Sequence, residues 1–351
     1  MNKKINTKLL AEICEVAGAP GHEQRVREIV LREVKPLVDE VKIDNMGNVV
    51  AIKKGKQGKR VMIGAHMDEI GFIVTHIDDN GFVYFHTLGG FDPKTLTAQR
   101  VIIHGKEDVM GVMGSKPIHL MSVADRSKVP TTKDYFIDTG ITKKKLDKII
   151  SVGDTITRER KMIEMGDCLN CKSLDNRVSV FILIEMFREM KTIPSYDVYG
   201  VFTVQEEIGI RGANVSSMDI NPDFGFGLDT TIAWDTPGST KQEQVSALGE
   251  GACIKVMDSS TVCDYRMVKY MKEISRKNKI KTQLEILPAG GTDTAGIQRM
   301  NPGGCIAGAV SIPTRHIHQV IEMVHKEDVR AAIDLLKTSV ENLNNYNWGF
   351  K

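Results

Sequence analysis

Val61-Met62-Ile63-Gly64-Ala65-His66-Met67-Asp68 is an apolar run that stops on an imidazole and a carboxylate. An uninterrupted apolar stretch of this length suits a strand covered on both faces, as in a parallel sheet. The arrangement returns further along the chain. Val198-Tyr199-Gly200-Val201-Phe202-Thr203-Val204 runs into Gln205-Glu206-Glu207, Phe224-Gly225-Phe226-Gly227-Leu228 into Asp229, and Cys305 to Ile312 leads toward His316 and His318. In an open α/β sheet the carboxyl ends of the strands share one edge, and ligands bind there. Side chains distant in sequence are therefore expected to converge, and imidazole with carboxylate is the donor set of zinc, cobalt or manganese.

Outward from these strands, helix and strand alternate. Thr7 to Val16 and Glu23 to Val38 carry apolar residues near helical spacing, on either side of the breaker Gly18-Ala19-Pro20-Gly21. Val41 to Lys53 alternates about Asn45-Met46-Gly47-Asn48, a hairpin signal. Helices are expected over 175–190, 264–278 and 326–343, with strands near 197, near 224 and over 282–287. Between these two regions the texture changes. Residues 70–162 form short alternating segments, among them Gly71-Phe72-Ile73-Val74-Thr75-His76-Ile77 and Arg100-Val101-Ile102-Ile103-His104-Gly105, with turns between them and little helix. The expected organisation is α/β with a largely parallel or mixed sheet: one discontinuous domain, 1–69 and 163–351, interrupted by a β-rich insertion, 70–162.

A chain of 351 residues exceeds the usual size of one core, in keeping with a large and a small unit. Hydrophobic content of 41% and charged content of 26% are those of an ordinary globular protein, so disorder is not expected. Lys+Arg at 47 against Asp+Glu at 45 gives +2, which provides no electrostatic footprint for nucleic acid or an anionic membrane. The start Met1-Asn2-Lys3-Lys4 is basic, but acids interrupt the apolar stretch after it, so no signal peptide is read and a cytoplasmic location is expected. Six scattered cysteines lack the density of a disulfide scaffold; Cys168-Leu169-Asn170-Cys171, without a second CxxC, reads as incidental thiols.

The chemistry-bearing residues have ordinary explanations taken singly. His66 and Asp68, two apart on a strand, can face one side, one binding metal while the other orients the imidazole. Asp175, before the apolar run Val178 to Met186, is either a helix-start Asp or a carboxylate bridging two cations with its two oxygens. Glu206-Glu207 is the sharpest signal, since adjacent carboxylates after a buried strand need a cation or proton between their charges. They suit a division into a metal ligand and a general base. Asp229 reads as a turn-initiating Asp or a ligand, and either His316 or His318 could supply the second imidazole. Taken together, the donors exceed the roughly three a single hydrolytic zinc needs, which argues for two cations about 3.5 to 4 Å apart.

Gly64-Ala65-His66-Met67-Asp68-Glu69-Ile70-Gly71, Ser173-Leu174-Asp175-Asn176-Arg177, Val204-Gln205-Glu206-Glu207-Ile208-Gly209, Leu228-Asp229, Gly290-Gly291-Thr292-Asp293 and Ile312-Pro313-Thr314-Arg315 resemble, in order, the dinuclear-metal aminopeptidases of the glutamyl aminopeptidase family, also called tetrahedral aminopeptidases. The resemblance implies a metallopeptidase α/β sandwich with a mixed central sheet and a small β-barrel-like insertion serving dimerisation. It implies two divalent ions, Zn²⁺ or Co²⁺, with Asp175 bridging, His66 and Asp229 completing one site and Glu207 and His318 the other. Glu206 would be the general base acting on a bridging water, and Asp68 the partner that orients His66. Peptides would be the substrates, and dimers would assemble into a tetrahedral dodecamer. Members carry Tyr before the last ligand where this chain has His316; counting from Arg315 favours His318. Asp293 and Arg315 are candidates for the substrate pocket. Two rival readings remain open at this stage: an endoglucanase-like glycosidase using the acidic pair, and a peptide-binding scaffold without turnover.

Overall fold

The computed structural model describes residues 4–350; Met1, Asn2 and Lys3, which open the basic start, and Lys351 lie outside them. In chain order the α/β part begins with α1 (Thr7–Glu15), α2 (Gln24–Val34), β1 (Glu40–Ile43), β2 (Val49–Lys53) and β3 (Gln57–His66). Six strands then close on themselves: β4 (Gly71–Ile77), β5 (Val83–Leu88), β6 (Arg100–His104), β7 (Asp108–Ser115), β8 (Tyr135–Asp138) and β9 (Thr155–Arg158), with short helices α3 (Val123–Arg126) and α4 (Lys143–Leu146) between them. The remainder is β10 (Ile163–Met165), β11 (Cys168–Cys171), α5 (Leu174–Glu189), β12 (Tyr196–Thr203), α6 (Arg211–Ile220), β13 (Phe224–Ile232), β14 (Ala252–Met257), α7 (Tyr265–Asn278), β15 (Thr282–Ile286), α8 (Thr294–Arg299), β16 (Ile306–Thr314), β17 (Glu322–His325) and α9 (Lys326–Asn342).

The central sheet has the order β1-β2-β12-β3-β13-β16-β14-β15. Its middle four strands, β12, β3, β13 and β16, run parallel, so their carboxyl ends reach one edge. β2 joins β12 antiparallel and β14 joins β16 antiparallel, which makes the sheet mixed. The hairpin about Asn45–Asn48 supplies β1 and β2, and Gly47 takes the positive φ its turn needs. The insertion is a closed antiparallel barrel in the order β4-β5-β8-β7-β6-β9, with its own core around Phe72, Val83, Val101, Ile103, Ile137 and Ile156. A barrel solves the edge problem that short alternating strands would otherwise leave.

The two faces of the central sheet are filled differently, and the sequence of β13 shows why. Phe224, Phe226 and Leu228 face the large core that α1, α2, α5, α7 and α9 cover. Gly225 and Gly227 face α8 on the other side, and a Cβ on Gly227 would run into the Thr294 hydroxyl. That alternation of large and absent side chains lets α8 lie close to the sheet. Among the described residues no helix is long and apolar enough to cross a membrane. Cys168 and Cys171 sit three apart on β11, so they point to opposite faces. Cys171 is buried beside Cys14, whose thiol is pushed up by burial and by that neighbour. All six cysteines are free.

Candidate metal centre and active site

Neighbouring strands and the start of α5 deliver the pieces of the site. β3 delivers His66 as its last residue. After β12 the chain turns through Gln205 (φ 56) and Gly209 (φ 123) and presents Glu206 and Glu207. Asp229 lies within β13, which continues to Ile232, and pairs in register with Ser311 of β16. Beyond β16 the loop carries His316 and His318. Asp175 has φ −78 and ψ 106, so regular helix starts after it; its side chain makes no capping bond and is directed into the site instead.

The donors form two triads that share one carboxylate. His66, Asp175 and Asp229 offer atoms all within 4.8 Å of one another, and so do Asp175, Glu207 and His318. His66 Nε2 stands 3.5 Å from Asp175 Oδ1 and 3.8 Å from Asp229 Oδ1. His318 Nε2 stands 3.4 Å from Asp175 Oδ2 and 3.5 Å from Glu207 Oε2. The two oxygens of Asp175 thus serve different imidazoles. His318 is the histidine that faces the cluster, while His316 is exposed at the rim of the cavity.

Glu206 and Glu207 diverge, as neighbours on an extended turn do. Glu206 Oε2 lies 3.8 Å from His66 Nε2, whereas Glu207 reaches His318. Asp68, fully buried, sets this divergence: its Oδ1 accepts the Glu206 N–H at 3.0 Å and its Oδ2 the Glu207 N–H at 3.1 Å. Asp68 also reaches the imidazole, mainly through its carbonyl, 3.1 Å from His66 Nδ1, with its carboxylate at 3.5 Å. It therefore fixes both glutamates as well as the ring.

Electrostatically the cluster is crowded. Burial raises Glu206, Glu207 and Asp229 above the ordinary carboxylate range, the last to about 8, and neighbouring carboxylates add to it. Burial would raise Asp175 too, but His318 and His66 outweigh it and hold this acid low. His66 and His318 are raised against the pull of burial, chiefly by Asp175. Buried Glu207 Oε1 has no hydrogen-bond partner. Divalent cations relieve such repulsion and would take that orphaned oxygen, and the imidazole–carboxylate donors fit Zn²⁺ or Co²⁺.

The triads line one end of a cavity of about 690 Å³. Ile210, Ile232, Trp234 and Leu287 give it an apolar wall, and Lys255 and Asp258 a charged corner. Lys255 Nζ lies 2.9 Å from Asp258 Oδ2 and 3.2 Å from Glu285 Oε1, so that corner brings two carboxylates to one ammonium. Asp293 and Arg315, expected in the pocket, are both elsewhere. Asp293 is buried and accepts the Thr203 hydroxyl at 2.5 Å, and Arg315 is paired with Asp235 at 2.6 and 2.8 Å. Sequence reading missed Lys255, Asp258 and the buried Glu322, which lies behind His318; all three look like ordinary strand or loop charges until their partners are placed.

Comparison with known proteins agrees with this architecture. The family model described as M42 glutamyl aminopeptidase matches residues 47–335. A putative aminopeptidase of Acetivibrio thermocellus is 37% identical over 95% of this chain and 97% of its own. The solved structure of an aminopeptidase from the archaeon Desulfurococcus kamchatkensis superposes with a TM-score of 0.92 at 35% identity, covering 95% of this chain and 94% of its own. A Pyrococcus horikoshii TET1 peptidase that can assemble into a tetrahedron or a large octahedral shell superposes with a TM-score of 0.85 at 28% identity, over 95% and 98%. With a parallel-stranded sheet edge bearing the paired triads, a barrel inserted after His66, and a match over most of its length, the chain belongs to the M42 glutamyl aminopeptidase family.

Proposed function

We propose that this protein is a metal-dependent aminopeptidase that releases amino-terminal residues from peptides using two divalent ions, Zn²⁺ or Co²⁺. The observation that carries the reading is the shared Asp175, one oxygen toward the His66–Asp229 triad and the other toward the Glu207–His318 triad. When bound, a pair of such ions supplies Lewis acidity: it polarises the scissile carbonyl and lowers the pKa of water. The chain's own groups do the rest. Glu206 stands beside His66 with its main chain fixed by Asp68, and is placed to take the proton from the attacking water and give it to the leaving amine. The cavity beside the triads would hold the terminal side chain. The acidic pair is enclosed by imidazoles rather than spread across a sugar-binding cleft, which speaks for peptide over glycoside hydrolysis.

Assembly is part of the same reading: the barrel would mediate dimers, and these a tetrahedral dodecamer that admits peptides. Ile118, Leu120 and Val123 on the barrel are 60, 70 and 81% exposed, more apolar surface than a monomer favours there. The small formal charge of +2 is compatible with a cytoplasmic peptidase role.

Two outcomes are expected. Chelator removes the activity on an aminoacyl chromogenic substrate, and Zn²⁺ or Co²⁺ restores it; activity undiminished in chelator would remove the metal reading. Within a substrate panel, the apolar wall and a lysine already matched by two carboxylates favour uncharged terminal residues. Leucyl and methionyl substrates are expected to turn over faster than glutamyl and lysyl ones, and the reverse order would contradict that view of the pocket.

A further inference from the structure

His318 sits in the left-handed region, at φ 64. For a residue with a Cβ this conformation is unfavourable and persists only where the surroundings fix the backbone. Both ends of His318 are indeed tied. Its N–H donates to Glu322 Oε1 at 2.9 Å, and its carbonyl accepts from Arg158 Nη1 at 3.0 Å. The second oxygen of Glu322 accepts the N–H of Asp175, also at 2.9 Å. One carboxylate, 1% exposed on β17, thus holds the main chain of two of the three residues in the Asp175–Glu207–His318 triad.

Arg158 brings the barrel into this arrangement. It is the last residue of β9, 1% exposed, with its guanidinium over the Phe91 ring at 5.2 Å. Gly90, beside Phe91, faces the His318 ring, where a Cβ would stand 3.5 Å from Nδ1. The barrel therefore reaches the His318 triad through Arg158 and through the loop after β5. His66 and Asp229 are placed differently, within β3 and β13, whose sheet pairing holds their main chain.

We propose that Glu322 and Arg158 are positioning residues that preorganise the His318 side of the centre, so that the Glu207–His318 metal position depends on them more strongly than the His66–Asp229 position does, with the barrel contributing through Arg158. The proposal rests on the two-ion reading above. Groups that orient ligands typically change metal affinity by about 10–100-fold when removed. The same range is expected here at the Glu207–His318 position, with a smaller change passed to the other position through the shared Asp175.

The test is metal stoichiometry and affinity of the full chain, by Co²⁺ titration followed in the visible spectrum and by elemental analysis after dialysis, with circular dichroism as a check on folding. Wild type is expected to bind two ions per chain. Glu322→Gln leaves one of the two amides without its acceptor, and is expected to weaken the Glu207–His318 ion about 10–100-fold and the other ion distinctly less, through the shared Asp175 alone. His318→Ala is the reference for loss of that position. Arg158→Lys, which keeps a cation at the buried site and of the triad residues touches only His318, is expected to weaken the Glu207–His318 ion in milder form, and carries the test if Glu322→Gln does not fold. Variants that hold both ions as tightly as wild type, or lose both equally, overturn the proposal. Wild type binding fewer than two ions would instead bring down the two-ion reading itself, a failure visible before any variant is made.

Discussion

Glu206→Gln is expected to bind both ions with little change and to lose about 10²–10⁴-fold in kcat, the usual contribution of a positioned general base. The amide has the shape of the carboxylate but cannot accept the water proton. Nothing else in the substitution should disturb the centre: Glu206 is held through its own N–H, donated to Asp68, and this bond is made by the main chain. Burial, with the charges of Asp229, Asp293 and Glu207 added, raises its proton affinity above that of an ordinary carboxylate, which suits a group that must carry a proton between water and leaving amine. Its neighbour provides the contrast. Glu207→Gln removes a triad member 3.5 Å from His318 and should reduce metal binding as well as rate. The measurements are kcat and metal content on the same preparations; a Glu206→Gln protein that turns over normally would contradict the assigned role.

The second large effect is expected at Asp175. Its two oxygens lie 3.5 Å from His66 and 3.4 Å from His318, so one substitution removes the shared anion from both triads. Asp175→Asn is isosteric but neutral, and presents an NH₂ to one of the imidazoles. Breaking one partner of a buried charge cluster costs about 3–5 kcal/mol, which corresponds to affinity losses on the order of 10²-fold or more. Both ions should weaken and activity fall to background. Asp229→Asn and His318→Ala, each in a single triad, should weaken one ion each. Calorimetric titration with Zn²⁺ distinguishes these patterns, and an Asp175→Asn protein that keeps one ion at full affinity would contradict the shared role.

Much of the fold was legible because buried parallel strands leave a plain signal. The apolar runs before His66, Glu206 and Asp229 became adjacent strands β3, β12 and β13, and the Asn45–Asn48 turn became the β1–β2 hairpin. Short alternating segments after Ile70 became the barrel. What escaped notice was set by packing rather than local preference. Arg211–Ile220 holds glycine, serine and asparagine, poor helix formers. It is helical because it packs beside α8, β12 and β3. β14 was hidden by Lys255, a charge that reads as solvated until Asp258 and Glu285 are seen around it.

The site follows the same division. Its charged residues could be picked out because they end apolar strands, and convergence then follows from strand direction. The residue types alone left His316 and His318 open and only counting from Arg315 within the family resemblance favoured His318; the structure points His318 at Asp175 and Glu207 and leaves His316 exposed. Asp293 looked like a pocket residue beside two glycines, yet a single hydrogen bond from Thr203 keeps it beneath the sheet edge. Glu322 left no trace, because an acid in a short alternating strand resembles any solvent-facing residue, and its two backbone partners lie far away in sequence.

The central claim is that one carboxylate is shared by two cation positions. A crystal structure of the chain grown with Co²⁺ or Zn²⁺, with anomalous scattering collected at the metal edge, tests it most directly. The account predicts two peaks about 3.5–4 Å apart, one on the His66–Asp229 side of Asp175 and one on the Glu207–His318 side. A single peak, or peaks that leave Asp175 uncoordinated, would contradict it.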